Sequence, residues 1–220
     1  MVAVRFGQDP ADSKITVAMI SDSLDQVGLR NQTLNQRLAP TQSGTRAIGY
    51  AKTCRFILTD QLDPAKPYDA AIDFIDGSQV GDLIVISTEN SNASAFWGEL
   101  FSAAAKGRGA VGIVTDGNVR DVEKIRAVGF PAFSRSHRPV DFKGRMVLSE
   151  SGGEIELCGV KISQGDLVAA DDDGIAVVPI SHHDQVLVHA RSRAKAESVV
   201  LTELLGGATL REVWTRHGIL

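Results

Sequence analysis

The feature that most constrains the fold of this chain is an apolar segment that runs directly into a charged turn, between Gly107 and Asp121. Residues 110–114 are small and apolar and are bounded by Gly on one side and Thr-Asp-Gly-Asn on the other, which predicts a short buried strand ending in a turn. We expect a helix to begin at Asn118 and to carry Arg120 and Asp121 in its first turn. Open α/β folds often bind anions and small ligands where a strand's carboxyl end meets a helix start. The segment therefore predicts a ligand site.

The composition limits the classes of protein to which the chain can belong. With 220 residues, of which 43% are hydrophobic and 23% charged, it can build one substantial core, and we expect a single domain over 1–220. A net charge of −4 without a run of Lys and Arg argues against direct binding of nucleic acid. No segment approaches the length of a membrane span, and residues 1–12 lack a signal-peptide core, so we expect a cytoplasmic protein without membrane association.

Helical and strand patterns alternate through the first two thirds of the chain, and short strands cluster before the last helices. After a loose arm over 1–12, we expect helices over about 14–27, 68–75, 93–106, 118–128, 181–205 and 209–217. The predicted strands span about 46–58, 82–86, 110–114, 130–133, 145–148, 154–160, 166–169 and 174–178. Asp63-Pro64 marks a loop. This order predicts a mixed α/β domain with layered β/β/α character.

Arg120 and Asp121 combine two kinds of ligand group. A guanidinium can hold a carboxylate bidentately, and a neighbouring carboxylate can anchor a hard divalent cation directly or through waters. The same pair is also typical of an ordinary surface helix start, because the helix dipole favours Asp there. Gly98-Glu99-Leu100 precedes this pair by one helix–turn–strand–turn unit, which can fold back to bring both near one pocket. The Gly permits close backbone approach to a ligand.

Several segments together resemble the RraA-like family, which includes the 4-hydroxy-4-methyl-2-oxoglutarate aldolases. The matching segments are Ser21 to Leu24, Gly98 to Leu100, Gly109 to Gly117, Arg120-Asp121 and Gly165 to Pro179. The chain departs from the pattern at Asn118, where many relatives carry a small residue. The resemblance implies a swivelling β/β/α fold with a long C-terminal helix, a homotrimer or homohexamer, and, in the aldolases, a class II mechanism that uses Mg²⁺ or Mn²⁺.

The resemblance also implies how the substrate is held. Arg120 would bind the pyruvyl carboxylate and keto oxygen of a small oxo acid. Backbone amides around Gly98, Glu99 and Leu100 would cradle the same carboxylate. On this basis Glu99, Arg120 and Asp121 are the candidate catalytic residues.

For the metal, the resemblance implies Asp121 as the ligand, acting largely through waters. Glu197 matches an acidic residue that relatives contribute to the metal's water shell across a subunit boundary. Glu203 lies nearby in the sequence, so either Glu197 or Glu203 could be the residue that completes this water shell. The helices over 181–217 are then expected to form an interface.

Two functions of different kinds follow from this pattern. Cleavage of a carbon–carbon bond beside a keto acid leaves a pyruvate enolate, which a Lewis-acid metal and a guanidinium stabilise. Oxaloacetate decarboxylation passes through the same enolate, so we expect a lyase with either or both activities. The alternative is a non-catalytic regulator that binds a ribonuclease E-type enzyme. Such a regulator does not need the set Glu99, Arg120, Asp121 and Glu197, whose presence favours the enzyme.

Other polar clusters favour structural roles. Asp171-Asp172-Asp173 lacks the residue placements of an EF-hand and predicts a tight turn between strands. His182-His183 lacks a zinc-ligand spacing and predicts a solvated helix start. The glycines at 107, 109 and 112 precede their strand, which argues against a dinucleotide site. Residues 134–137 follow a predicted strand and are candidates for selecting the substrate.

Overall fold

A computed structural model of the chain describes residues 5–59 and 65–219. The predicted loop at Asp63-Pro64 and the first four residues of the predicted arm lie outside these ranges. No helix within them is long and apolar enough to cross a membrane.

The described residues form helices and strands in the alternating order that the sequence predicts. The helices are α1 Val17–Gln26, α2 Asp69–Asp76, α3 Glu99–Gly107, α4 Val122–Val128, α5 His183–Leu205 and α6 Leu210–His217. The strands are β1 Ala39–Pro40, β2 Ala47–Leu58, β3 Asp82–Ser87, β4 Ala95–Trp97, β5 Gly112–Val119, β6 Ala132–His137, β7 Met146–Ser151, β8 Ile155–Leu157, β9 Val160–Ile162, β10 Leu167–Ala170 and β11 Ile175–Val178.

A mixed sheet organises the described part of the chain. Its strand order is β1-β6-β5-β3-β2-β10-β11, with β4 paired to β5 and β7 paired to β2. Strands β2, β3, β5 and β6 run parallel, whereas β10 and β11 continue the sheet antiparallel. Strands β8 and β9 form a separate hairpin. Parallel strands at the centre of a sheet are usually buried on both faces, which explains the apolar runs in the sequences of β3 and the first half of β5.

The sheet buries different partners on its two faces. Successive residues of a strand point to opposite faces, and Ile113 joins the core that holds Ile75, Ala105 and Ile125 from α2, α3 and α4. Its neighbour Val114 joins the core beneath the β8–β9 hairpin. Helices α1 and α5 cover β10 and β11 in a third cluster. The predicted α/β class and its β/β/α layering are confirmed.

The main error of the sequence prediction lies at the end of β5. The strand does not stop before a turn but continues through the polar residues, so that Asn118 lies in the strand and α4 begins only after Asp121. The buried Asp116 carboxylate accepts hydrogen bonds from the Thr88 N–H and hydroxyl and from the Asn90 N–H. The Asn118 side-chain amide donates to the Ser94 carbonyl at 3.0 Å. Because another loop supplies partners for the Asp116 carboxylate and the Asn118 side-chain NH₂ group, these polar residues can occupy a buried strand.

Other boundaries also differ from the prediction. The first part of the predicted helix over 93–106 is strand β4, and α3 begins after Gly98. The predicted strand over 154–160 is a hairpin whose turn holds Cys158 and Gly159 at positive φ. The predicted helix over 14–27 begins at Val17, since the Thr16 side chain caps it. Residues 134–137 belong to β6 and do not follow it.

Two polar clusters have different outcomes. The tight turn at Asp171 to Asp173 is confirmed, because these residues connect β10 to β11 and the Asp172 carboxylate accepts from the Gly44 N–H and Ser43 hydroxyl. The solvated helix start at His182-His183 is wrong for His183, which is 8% exposed. Its ring nitrogen Nε2 lies 3.2 Å from the Tyr50 hydroxyl.

The described part of the N-terminal arm is held against α5, which differs from the loose arm expected. Residues Pro10–Lys14 form a short 3-10 helix. Asp12 is 3% exposed, and its carboxylate pairs with the Arg191 guanidinium at 2.7 Å. Burial works to raise the pKa of Asp12, but Arg191 and the N–H groups of Gly7 and Asp9 bring the pKa below its ordinary value. Asp12 is therefore ionised at neutral pH.

Replacing either member of this pair leaves the other charge buried without its main partner, since the other carboxylate near Arg191, that of Asp9, lies 4.0 Å from its Nε atom. We predict that Asp12→Asn and Arg191→Met each lower the free energy of unfolding by about 3 kcal/mol at pH 7, measured by urea denaturation. The control Lys161→Met breaks an exposed pair with Glu154 and should change stability by less than about 0.5 kcal/mol.

The Asp12 pair also predicts a pH dependence. A carboxyl whose folded pKa is lowered stabilises the fold above its unfolded pKa, and this contribution is lost as pH falls through the folded value. The difference in unfolding free energy between wild type and Asp12→Asn should therefore become smaller as the pH falls below 3.8, the ordinary pKa of an aspartate. A difference that stays constant down to pH 2, well below about 3.9, would contradict the ion-pair account.

Candidate functional site

The predicted substrate-binding residues line one cavity of about 280 Å³. Its charged members are Glu99, Arg120, Asp121 and Asp141. The remaining lining residues are mainly apolar or aromatic: Tyr68, Ile72, Ala95, Phe96, Trp97, Gly98, Leu100, Phe101 and Phe142. The cavity thus combines a few charged groups with an apolar wall, as small-molecule sites commonly do.

Strand pairing brings the two halves of the site together. Strand β4 pairs in parallel with the end of β5, so that Trp97 lies opposite Val119. The Arg120 N–H donates to the Trp97 carbonyl at 2.9 Å. Gly98 and Arg120, which directly follow these two strands, therefore lie side by side. The sequence predicted that these residues lie close together, but it assigned the segment of β4 to a helix.

The start of α3 presents free backbone donors to the cavity. Gly98 is the N-cap residue, and no side chain caps the helix. The first N–H groups of an α-helix have no partner within the helix, and they favour an anion for that reason and through the helix dipole. Glu99 and Leu100, the first two helical residues, both line the cavity. This geometry suits the predicted cradle for a carboxylate.

Asp121 has a backbone conformation that few non-glycine residues adopt. It lies in the left-handed region, at φ 57° and ψ 37°, and its side chain does not cap α4. Such a conformation costs on the order of 1–3 kcal/mol and is enriched at functional sites. A Cβ at position 98 would lie 2.9 Å from the Asp121 Oδ2 atom. The glycine leaves the space that the carboxylate occupies.

Arg120 is held between two carboxylates and remains partly exposed. Its Nη2 atom lies 3.2 Å from Asp141 Oδ2, and its Nε atom lies 3.8 Å from Asp121 Oδ2. The Arg120 side chain is 36% exposed, so it can still receive an anion from the cavity.

Asp141 also accepts a hydrogen bond from the Tyr68 hydroxyl at 2.6 Å. Burial works to raise the pKa of Asp141, but the Tyr68 hydroxyl, the Lys143 N–H and Arg120 lower the pKa overall. Burial and the Asp141 carboxylate both raise the pKa of Tyr68. At neutral pH the pair therefore consists of a carboxylate and a protonated phenol.

The structure separates the predicted residues into two groups. Gly98, Glu99, Leu100, Arg120 and Asp121 share the cavity, and the Glu99 carboxylate pairs with Lys124 at 3.1 Å.

Neither Glu197 nor Glu203 lines the cavity. Glu197 pairs with Arg193 at 2.6 Å, and Arg193 also pairs with Asp22. Glu203 pairs with Arg216 and His217. A role for Glu197 at the metal therefore stays a prediction about a neighbouring subunit.

Tyr68 and Asp141 line the cavity but were not predicted from the sequence as site residues. They lie on either side of the predicted site in the sequence, and neither belongs to a motif. Tyr68 precedes α2, and Asp141 follows β6 in a loop. A weak signal was available, since Asp141-Phe142 follows the polar end of a parallel strand, where ligand-binding side chains collect.

The residues present fit a divalent cation at Asp121. Its carboxylate is 42% exposed and is not used to cap α4. Among the described residues, no three His, Cys, Asp or Glu side chains form a metal-binding group. Mg²⁺ commonly binds through one or two carboxylates and keeps several waters. A single aspartate beside a cavity matches that mode of binding.

The chain, over most of its length, matches a known protein family. The model of the RraA-like family, described as Aldolase/RraA, matches residues 17–177. A putative 4-hydroxy-4-methyl-2-oxoglutarate aldolase from Halalkalibacterium halodurans is 31% identical over 180 residues, covering 81% of this chain and 80% of that protein. Protein DlpA from Legionella pneumophila is 29% identical over 195 residues, covering 89% of this chain. The chain spans only 31% of the length of DlpA.

Solved structures share the fold. An uncharacterized protein from Pseudomonas syringae is 28% identical, with a TM-score of 0.80, and the match covers 92% of this chain and 94% of that one. RraAS2 from Streptomyces coelicolor, described as an unusual member of the RNase ES inhibitor RraA protein family, is 25% identical. Its TM-score is 0.75, and the match covers 88% of this chain and 96% of that one.

The contacts of Gly98 and Gly117 predict that adding a methyl group lowers the stability of the fold by different amounts at the two positions. At Gly117 a Cβ would lie 2.6 Å from the buried Phe96 ring, so Gly117→Ala should destabilise the fold by about 2 kcal/mol. At Gly98 the nearest atom is the end of the Asp121 side chain, which can move. Gly98→Ala should therefore cost less than about 1 kcal/mol and displace that carboxylate.

Urea denaturation and a crystal structure of Gly98→Ala test this contrast. Gly107→Ala serves as the control, because a Cβ there meets no atom within 4 Å and a helical Gly→Ala change stabilises by up to about 1 kcal/mol. Equal destabilisation by the changes at 98 and 117 would show that Asp121 cannot move. An unmoved Asp121 in the crystal structure would contradict the contact itself.

Proposed function

The chain belongs to the Aldolase/RraA family, and on that premise we propose that it is a divalent-metal-dependent lyase that releases pyruvate from a small oxo acid. The substrates proposed are 4-hydroxy-4-methyl-2-oxoglutarate and related 4-hydroxy-2-oxo acids, with oxaloacetate decarboxylation as a second activity of the same site. Two relatives named putative 4-hydroxy-4-methyl-2-oxoglutarate aldolases, at 31% and 32% identity, support this class of reaction.

One observation carries the proposal: the uncapped start of α3 and the Arg120 guanidinium face the same cavity, with Asp121 beside them. Backbone N–H groups and a guanidinium are complementary to the carboxylate and keto oxygen of a pyruvyl group. A carboxylate next to that position is the ligand type that Mg²⁺ or Mn²⁺ requires. The site therefore provides a place for the anion that both reactions release.

In the proposed mechanism, Arg120 and the first amides of α3 hold the pyruvyl carboxylate and fix the orientation of the keto group. In the aldol cleavage the C4 hydroxyl loses its proton as the bond between C3 and C4 breaks, and a carbonyl product is released; in the decarboxylation the same bond breaks with release of CO₂. Both reactions leave the pyruvate enolate, whose developing negative charge the Arg120 guanidinium stabilises, and uptake of a proton at C3 gives pyruvate. Asp121 would hold a divalent metal, which would supply Lewis-acid stabilisation of the developing charge. Phe96, Trp97 and Phe142 form a wall that limits access of water.

We also propose that the protein assembles as a homotrimer or homohexamer. Large apolar side chains on α5 and α6 are exposed to solvent in the single chain: Val188, Val199, Leu201, Leu205, Leu210 and Trp214. Exposed apolar surface of this kind is typical of an interface. In such an assembly Glu197 of a neighbouring subunit would complete the metal's water shell.

The second candidate function is a non-catalytic regulator of a ribonuclease E-type enzyme. The likeness to RraAS2, described as belonging to a family of RNase ES inhibitors, favours it. A fold can keep a site after losing its use. The shared cavity of Glu99, Arg120 and Asp121 supports the enzyme over this alternative.

The catalytic proposal predicts pyruvate release from 4-hydroxy-4-methyl-2-oxoglutarate and oxaloacetate, measured with a coupled dehydrogenase assay. Activity should require Mg²⁺ or Mn²⁺ and should disappear with EDTA. Arg120→Ala and Asp121→Ala should each lower kcat/KM by roughly 10²-fold or more, since each removes a charge that stabilises the transition state.

The exposed residue Lys161 provides the control, and Lys161→Ala should keep wild-type activity. Turnover that persists in EDTA, or full activity in both site variants, would contradict the mechanism. An affinity pulldown with a ribonuclease E-type enzyme separates the alternative: a stable complex formed equally by wild type and Arg120→Ala, without any pyruvate release, would favour the regulator.

The assembly proposal predicts a particle of three or six times the 23.5 kDa chain mass, measured by light scattering after size-exclusion chromatography. Leu201→Asp, which places a charge on the exposed apolar face of α5, should lower that mass. A wild-type monomer at micromolar concentration would contradict the proposal.

A further inference from the structure

We propose that the cavity selects oxo acids that carry a single negative charge, with an uncharged alkyl group at the end remote from the pyruvyl carboxylate. The inference rests on the proposed function and refines its substrate class. It ranks a monoanionic 4-hydroxy-2-oxo acid above the dianion 4-hydroxy-4-methyl-2-oxoglutarate.

The residues that line the cavity carry more negative than positive charge. Arg120 is the one cation among the residues that line the cavity in the described part of the chain, whereas Glu99, Asp121 and Asp141 are carboxylates. Arg120 already lies 3.2 Å from Asp141 and is assigned to the pyruvyl carboxylate. The divalent metal proposed at Asp121 would, like Arg120, be engaged by the pyruvyl unit. A second substrate carboxylate would find no further cation in this lining and would be repelled by Asp141.

The Asp141–Tyr68 hydrogen bond removes another donor. The Tyr68 hydroxyl donates to Asp141 at 2.6 Å, so its proton is not available to a substrate carboxylate. The Tyr68 ring packs edge-on against Phe142, with ring centres 5.3 Å apart. Tyr68 therefore offers the cavity mainly an apolar surface.

Two apolar side chains also contribute to the exposed part of the cavity lining. Ile72 on α2 is 45% exposed and Leu100 on α3 is 78% exposed, and both line the cavity. A substrate bound by its carboxylate at the start of α3 would direct its other end along these side chains. Burying an alkyl group there is favourable by roughly 0.8 kcal/mol for each CH₂, whereas an unpaired carboxylate is disfavoured.

Two lysines lie near the cavity without lining it. Lys124 pairs with Glu99 at 3.1 Å. The Lys143 ammonium lies 5.9 Å from the Tyr68 ring centre. Because Lys124 is already paired with Glu99, Lys143 is the candidate to bind a second carboxylate, and the experiment includes its replacement.

The test compares 4-hydroxy-2-oxohexanoate, a monoanion, with 4-hydroxy-4-methyl-2-oxoglutarate, a dianion, by kcat/KM for pyruvate release. Calorimetric titration with 2-oxohexanoate and 2-oxoglutarate, which lack the 4-hydroxyl group and cannot be cleaved in this way, measures binding separately. The inference predicts that the monoanion is favoured by roughly tenfold or more in both measurements, corresponding to about 1.4 kcal/mol.

Matched variants isolate the role of charge. Ile72→Lys places a cation at the cavity opening and should shift the preference toward the dianion by roughly tenfold, whereas Ile72→Gln, of similar length and uncharged, should not. Asp141→Asn should shift the preference in the same direction, because it removes the repelling carboxylate. Lys143→Ala should leave the preference unchanged.

The outcomes separate this inference from the function on which it rests. Cleavage of both substrates with the dianion preferred, or a selective loss of the dianion's activity in Lys143→Ala, would overturn the inference and leave the lyase intact. Preferential binding of 2-oxohexanoate without cleavage of either substrate would support the charge selectivity and overturn the lyase. Absence of both binding and cleavage would overturn both.

Discussion

The short parallel pairing between β4 and the end of β5 is the constraint on which the candidate site depends. It fixes Trp97 opposite Val119 and joins Arg120 to the Trp97 carbonyl by a backbone hydrogen bond. As a result the start of α3 meets the Arg120–Asp121 segment directly. A different register would move the free helix donors away from the guanidinium, and the two parts of the anion site would no longer face the same cavity.

This pairing exists only because β5 extends through polar residues. Asp116 and Asn118 are buried in the strand, and buried polar groups are costly unless they are hydrogen-bonded. Thr88 and Asn90 supply donors to Asp116, and Ser94 accepts from Asn118. Burial raises the pKa of Asp116, and these donors offset only part of that effect. The loop after β3 thus stabilises the strand that positions the site.

The sequence was informative about the layers and about most of the site, because both follow local patterns. Apolar periodicity predicted β2, β3 and α5 closely, and Gly98 to Leu100 and Arg120-Asp121 lie in one cavity as expected. The end of β5 was wrong because Thr-Asp-Gly-Asn has turn chemistry locally, and only contacts from another loop make it a strand. Tyr68 and Asp141 were missed because their hydrogen bond joins residues 73 positions apart.

The proposed function requires that the start of α3 and Arg120 hold a pyruvyl carboxylate while Asp121 anchors a divalent metal. A crystal structure of the protein soaked with Mn²⁺ and pyruvate, with anomalous diffraction from manganese, tests it most directly. We expect an anomalous peak beside the Asp121 carboxylate and a pyruvate carboxylate within hydrogen-bonding distance of Arg120 and the first amides of α3. A manganese peak remote from Asp121, or pyruvate bound without contact to Arg120, would contradict it.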